Sequence, residues 1–363
     1  MKETFIELVK LDSPSGGERE VQEYLAGVLK PYAEWIEEDS AAGRTGGNCG
    51  NLFAYVKGNR EGAPTILLNA HTDNVEPCRG VRPVVEGGVV RSDGSTVLGA
   101  DDKAGVSIVV EIVRALEERG VPHGGLLLLF TVSEEKGLMG SRRLEERLLR
   151  ADFGYSVDGS GAPGTIVARS PTHDTIRAEV RGRAAHAGIE PEKGINAVQA
   201  AAAAVAAMRL GRIDAETTAN VGVIRGGYAT NIVPPSAHIE GEARSHDLRK
   251  LEAQIGHMRR CIEEECARAG AEAEVKVERE YDALLLSETE PAIERFVNAA
   301  RGLGVEPRVI VSGGGYDANN IAARGVPTAP VSCGVAAPHT TEERLDLAEF
   351  ELCARILFEA VRG

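Results

Sequence analysis

Thr65-Ile66-Leu67-Leu68-Asn69, running directly into Ala70-His71-Thr72-Asp73, is the stretch on which the fold turns. An apolar run of this length, bounded by turn residues, has the dimensions of a strand buried on both faces. Leu52–Val56 and Leu126–Val132 share its character. Ahead of the last run the apolar spacing predicts a helix over Gly105–Glu118. Strand, helix and strand in this order favour an α/β core with a largely parallel sheet. A further helix is predicted over residues 18–30, where Val21, Tyr24, Leu25, Val28 and Leu29 recur at helical spacing behind a Ser-Pro-Ser-Gly-Gly turn.

From Thr175 the texture changes. Thr175–Arg181 alternates as a strand, Gly194–Met208 is an alanine-rich helix, and Ala219–Ile224 and His238–Ala243 alternate again. Asp247–Ala269 repeats Leu251, Ile255, Met258 and Ile262 at helical spacing, and Ala273–Val277 closes as a strand. The order βαββαβ is that of a ferredoxin-like unit. After about Tyr281 the αβ texture returns, with a strand near Val309–Val311, a glycine-rich turn at Gly313–Gly315 and a final helix over Asp346–Val361. The expected architecture is a catalytic-type α/β domain, residues 1–172 plus 282–363, with helices on both faces of a mixed sheet. A smaller domain at 173–281 interrupts it.

The length of 363 residues suits two domains at ~150 residues each. A net charge of −14 argues against nucleic acid or an anionic membrane as partner, because counterion release needs Lys and Arg facing phosphates. With 43% hydrophobic and 26% charged residues the chain has material for a sizeable core. The six cysteines are scattered without a CxxC pair, so neither a disulfide framework nor a cysteine zinc knuckle is signalled, and a reducing cytoplasm is the expected home. Acidic residues through positions 1–30 are unlike a signal peptide, and the alanine-rich run Ile195–Met208 falls short of the ~20 residues a membrane span needs.

Four strand or helix ends carry carboxylates or histidine. His71 and Asp73, two apart on a strand, address one face at its C-terminal end, where ligands of open α/β sheets sit. Asp101-Asp102 stands at the start of the predicted helix, Glu134-Glu135 follows an apolar strand, and Asp158 ends a strand-like run. His339 comes late, after Ala-Pro and before Thr-Thr-Glu-Glu. Each alone fits a turn, a helix cap or a solvated loop. Together they supply two imidazoles and several carboxylates without cysteine, a donor set suited to Zn²⁺, Co²⁺ or Mn²⁺.

In this order the motifs resemble the co-catalytic metallopeptidase family of peptidase T, carboxypeptidase G, the succinyl-diaminopimelate desuccinylases and the aminoacylases. The resemblance covers essentially the whole chain, and LGADDKAG, SEEKG and VDG are closest in wording to peptidase T. It implies two divalent metal ions, by preference Zn²⁺, with His71 and Asp158 on one, Glu135 and His339 on the other and Asp101 bridging them. Asp73 would orient His71 through a hydrogen bond. Glu134 would be the general base that deprotonates the attacking water and later protonates the leaving amine. Relatives have a cis peptide after the bridging aspartate, here Asp101–Asp102.

By the same resemblance the inserted domain is a lid through which a homodimer forms. Gly182-Arg183-Ala184-Ala185-His186-Ala187-Gly188 would carry a histidine, His186, that stabilises the oxyanion in the partner's site, and Asn231 and Arg244 match substrate-contacting positions. Aspartate at position 158 is typical of the family's aminopeptidases and dipeptidases, and glutamate of its carboxypeptidases and deacylases. The expected activity is therefore hydrolysis of short peptides by a tripeptide aminopeptidase. An N-acyl-amino-acid deacylase or a carboxypeptidase is the alternative within the family, and a binding protein with the same fold is the non-enzymatic one.

Overall fold

The computed structural model describes residues 1–159 and 161–363, which divide into two compact units, Met1–Ser170 with Leu284–Gly363, and Pro171–Ala283.

In the first unit the chain runs through helices α1 (Lys2–Val9) and α2 (Arg19–Leu29), and strands β1 (Trp35–Glu38), β2 (Leu52–Val56) and β3 (Ile66–His71). Helix α3 (Ala100–Glu118) and strands β4 (Leu126–Thr131), β5 (Phe153–Gly159) and β6 (Thr165–Ser170) follow. Strand β3 lies between β4 and β5 and is parallel to both. The apolar runs end up buried on both faces because alternate residues serve different cores. Ile66, Leu68, Ala70, Leu126, Leu128 and Phe130 join α1, α2 and α3 in the larger core, whereas Leu67, Leu127 and Leu129 meet Leu144, Leu148 and Ile321 on the opposite face.

The second unit contains β7 (Thr172–Arg181), α4 (Ala197–Ala207), β8 (Thr217–Gly226), β9 (Ser236–Ser245), α5 (Leu248–Arg268) and β10 (Glu272–Tyr281). Its strands run in the order β8-β9-β7-β10, all antiparallel, with Gly211–Arg212 added outside β8. This is the strand order of a ferredoxin-like sheet. Helices α4 and α5 are N-capped by the side chains of Asn196 and Asp247, which accept from Gln199 N–H and Arg249 N–H. Both pack on one face of the sheet, where Ala197, Ala200, Ala201 and Ala204 meet Leu251, Met258 and Ile262. The small side chains of α4 let the two helices approach closely.

The first unit resumes with α6 (Pro291–Gly302), β11 (Arg308–Val311), α7 (Asp317–Ala322), β12 (Thr328–Ser332) and α8 (Leu347–Arg362). Its main sheet has the order β1-β2-β4-β3-β5-β12-β6, with β11 and Leu284–Leu285 also paired to β6. The centre is parallel; β1, β2 and β4 on one side and β12, β6 and Leu284–Leu285 on the other pair antiparallel, while β11 runs parallel to β6. A second, four-stranded sheet joins Val84–Glu86, Val89–Arg91, Val335–Ala336 and Arg344–Asp346. Strands of two or three residues carry too few alternations to be legible as a period. Among the described residues no helix is long and apolar enough to cross a membrane.

Candidate metal centre

Parallel pairing brings the acidic and histidine-bearing ends together. His71 pairs with Thr131 across β3 and β4, so Glu134 and Glu135 emerge just beyond the same level. Asn69 pairs with Ser156 across β3 and β5, which sets Asp158 two residues on beside His71. Asp101 and Asp102 enter from the start of α3, where their backbone is not yet helical and the peptide between them is cis. His339 arrives in the loop after β12 with a left-handed φ of 63°.

Asp101 presents its two oxygens to two different imidazoles: Oδ1 lies 3.1 Å from His71 Nε2 and Oδ2 lies 3.3 Å from His339 Nε2. Asp158 Oδ1 is 3.8 Å from His71 Nε2, and Glu135 Oε1 is 3.0 Å from His339 Nε2. Donor atoms of His71, Asp101 and Glu135 lie within 4.8 Å of one another, as do those of His71, Asp102 and Asp158. Asp102 has a different commitment from its neighbour. It is fully buried, with Oδ2 accepting the His71 backbone N–H at 3.2 Å and Oδ1 the Gly105 N–H at 3.0 Å. A Cβ at residue 105 would stand 2.0 Å from Val157 O and 2.3 Å from Asp102 Oδ1, so only glycine permits this approach.

Asp73, also fully buried, works mostly through the backbone of the Glu134 loop. Its Oδ1 accepts Glu134 N–H at 2.9 Å, and its Oδ2 accepts Glu135 N–H at 3.2 Å and the Ser15 hydroxyl at 2.6 Å. The shorter partner of His71 Nδ1 is the Asp73 carbonyl at 3.1 Å, the carboxylate standing at 3.6 Å. Either contact places the proton on Nδ1 and turns the Nε2 lone pair towards Asp101 and Asp158.

The electrostatics describe carboxylates in want of positive charge. Burial raises Glu134, Asp158 and Asp102 well above the ordinary carboxylate range, and neighbouring carboxylates add to the effect against the pull of His71. Burial also opposes ionisation of Asp101, yet His339 and His71 together hold it below its usual range. Asp101 and Glu135 in turn push the His339 imidazole up to about 10. Glu135 Oε1 is a buried oxygen with no hydrogen-bond partner among the described residues, although it is 3.0 Å from an imidazole nitrogen. The carboxylate oxygen and the imidazole nitrogen thus converge on one another. Two imidazoles and three carboxylates arranged in this way fit divalent cations, which would supply the missing charge.

Several supporting residues carry no local signal. Glu343, 1% exposed, accepts Asp101 N–H at 2.8 Å and Gly99 N–H at 2.7 Å, and the Asn74 amide donates to Asp101 O at 2.6 Å. Asp317, at the start of α7, is buried and accepts from the Thr131 hydroxyl. Among these only Glu343 stands in a stretch that the sequence marks, the Thr-Thr-Glu-Glu after His339.

His186, Asn231 and Arg244 belong to the second unit. His186 is exposed, and its Nδ1 accepts the Gly188 N–H at 3.2 Å. It is bridged to Ile232, and Ala187 N–H donates to Asn231 O at 3.0 Å, so His186 and Asn231 share one surface. Arg244 sits near the end of β9, its Nη2 donating to Glu242 at 3.1 Å, while its buried Nε has no hydrogen-bond partner among the described residues.

The chain is 40% identical to a Bacillus subtilis protein called YqjE, over 99% of this chain and 98% of the relative. It superimposes on the aminopeptidase PepT of Bacillus cereus with a TM-score of 0.89 at 38% identity, and on a tripeptidase of Staphylococcus aureus with a TM-score of 0.94 at 37% identity. In both cases 99% of this chain and 96% of the other is covered. A family profile matches residues 67–363, the span that carries every carboxylate and imidazole of the centre, and by that match the chain belongs to peptidase family M20/M25/M40.

Proposed function

We propose that the protein is a dinuclear metal-dependent exopeptidase of short peptides, and within that class a tripeptide aminopeptidase. The observation that carries the metal-dependent part is Asp101, which offers one carboxylate oxygen to each of two imidazoles at 3.1 and 3.3 Å. The finer assignment rests on likeness to solved relatives named as an aminopeptidase and a tripeptidase, and on aspartate at position 158.

In this reading His71 and Asp158 would hold one ion, Glu135 and His339 the other, and Asp101 would serve both. Zinc is the preferred metal for such a donor set, with Co²⁺ or Mn²⁺ as substitutes. Bound there, the ions would polarise the scissile carbonyl and make water acidic enough to attack. Glu134 takes the proton of the attacking water and returns it to the leaving amine. Its carboxylate takes part in no hydrogen bond among the described residues, which leaves both oxygens available to receive a proton and return it.

His186 accepts a backbone N–H at Nδ1, which leaves Nε2 as the protonated nitrogen and a donor for a developing oxyanion. The unpartnered Nε–H of Arg244 leaves that guanidinium with a donor for a peptide carboxylate, and Asn231 adds a polar contact. Beyond Ala219 the outer edge of β8 has no paired strand among the described residues, an edge on which a second copy can add its own. If His186 acts across such a homodimer, His186→Ala should cut turnover about 10²–10³-fold while sedimentation still shows a dimer. A fully active monomer would contradict this arrangement. Six buried cysteines, all free thiols, support a reducing compartment such as the cytoplasm.

The deciding experiment is a substrate panel run on the metal-loaded, chelated and metal-restored protein. Tripeptides with a free amine should be hydrolysed, lose turnover on chelation and regain it with Zn²⁺, Co²⁺ or Mn²⁺. Preference for N-acetyl or N-succinyl amino acids would replace the aminopeptidase with a deacylase, and release of the C-terminal residue would make it a carboxypeptidase. Turnover indifferent to chelation would refute metal dependence, and no turnover on any substrate would leave a binding protein.

A further inference from the structure

The loop that carries Glu134 is held by its backbone in an unusual way. Four consecutive N–H groups, from Val132 to Glu135, each donate to a buried side-chain oxygen: Asn51 Oδ1 at 3.1 Å, Glu18 Oε1 at 3.0 Å, Asp73 Oδ1 at 2.9 Å and Asp73 Oδ2 at 3.2 Å. Those three residues are each 0% exposed and come from three separate segments. Glu18 is the least expected of them. It occupies the N-cap position of α2, yet its side chain makes no capping bond to that helix. It turns instead to a residue 115 positions away, and Oε1 accepts the Ser133 N–H, the Ser133 hydroxyl at 3.2 Å and the Gly16 N–H at 2.7 Å. Ser133 has φ of 51°, a left-handed conformation that a non-glycine residue adopts only when its surroundings impose it.

We infer that Glu18 is a positioning residue for Glu134, fixing the left-handed Ser133 so that the next side chain points into the centre. This rests on the reading of Glu134 as the base. All three donors meet one oxygen, and Oε2 has no hydrogen-bond partner among the described residues, so the role requires an acceptor at the right reach more than a second oxygen. Glutamine preserves that acceptor and reach; aspartate preserves the charge but falls one methylene short.

The test compares Glu18→Gln, Glu18→Asp and Glu18→Ala in the full-length, metal-loaded protein. Readouts are kcat and KM on trialanine, metal content, and hydrogen exchange of the Val132–Glu135 amides in the metal-free form. Glu18→Ala and Glu18→Asp should lower kcat about 10- to 100-fold, the scale of a misplaced reacting group, with KM within about threefold and metal content unchanged. Exchange at Ser133 should accelerate in both. Glu18→Gln should stay within about threefold of the parent. Combining Glu18→Ala with Glu134→Ala should cost no more than Glu134→Ala alone, since the first acts through the second. If Glu18→Ala does not fold, the order of Gln and Asp still decides. Aspartate near the parent with glutamine impaired overturns the inference, as does unchanged exchange at Ser133 or equal loss of metal in all three variants. Retained turnover in Glu134→Ala overturns the base assignment instead, and the exchange result distinguishes the two failures.

Discussion

Asp101→Asn is expected to remove metal from both positions and lower kcat/KM by more than about 10³-fold, several kcal/mol of transition-state stabilisation. The reason is the division of its carboxylate between His71 and His339, at 3.1 and 3.3 Å. An amide has one good acceptor oxygen, and its NH₂ group faces an imidazole lone pair that it cannot replace as a ligand. Loss of an orienting partner of a metal ligand costs about 10–100-fold in affinity, and a ligand shared by two sites should cost more. Asparagine keeps the backbone contacts to Glu343 and Asn74, so the fold should survive. Metal analysis of the purified variant, with far-UV circular dichroism as the control for folding, checks the result. Two ions per chain with near-parental kcat/KM would show that Asp101 does not bridge.

Glu134→Gln should separate binding from chemistry. Metal content and KM should stay near the parental values while kcat falls about 10²–10⁴-fold, the usual contribution of a placed acid or base. The loop should keep its shape, because Asp73 holds the Glu134 and Glu135 backbone N–H groups and does not bond the Glu134 side chain. The metal-free variant should also melt at the same or a higher temperature than the metal-free parent, because burial and neighbouring carboxylates oppose the charge that glutamine removes. Parental turnover would take Glu134 out of the mechanism. Loss of metal together with turnover would place it among the ligands.

Local pattern carried the fold far because burial leaves a periodic trace. Strand β2 spans Leu52–Val56, the same residues as the apolar run, while β3 reaches two residues beyond its run, to His71. That extension matters, since it places the first imidazole within the sheet and in register with Thr131. The site was legible in residue type, as carboxylate pairs at element ends, but the members of each pair look alike in the sequence. Asp101 faces the imidazoles whereas Asp102 is turned to the His71 and Gly105 backbone.

By itself, then, the sequence determined which segments are buried strands and helices, and that His71, Asp101, Glu134, Glu135 and Asp158 stand at or just beyond element ends. Those features depend on periodicity and on neighbours a few positions away. Tertiary structure alone decided that Asp102 turns to the His71 and Gly105 backbone, that Asp73 serves the Glu134 loop as well as His71, and that Glu18 and Glu343 meet the segments that carry the centre. Glu18 meets Ser133 across 115 positions and Glu343 meets Gly99 across 244. A carboxylate's partner at such separation is set by the packing of whole strands and helices, and it leaves no trace in the residues on either side.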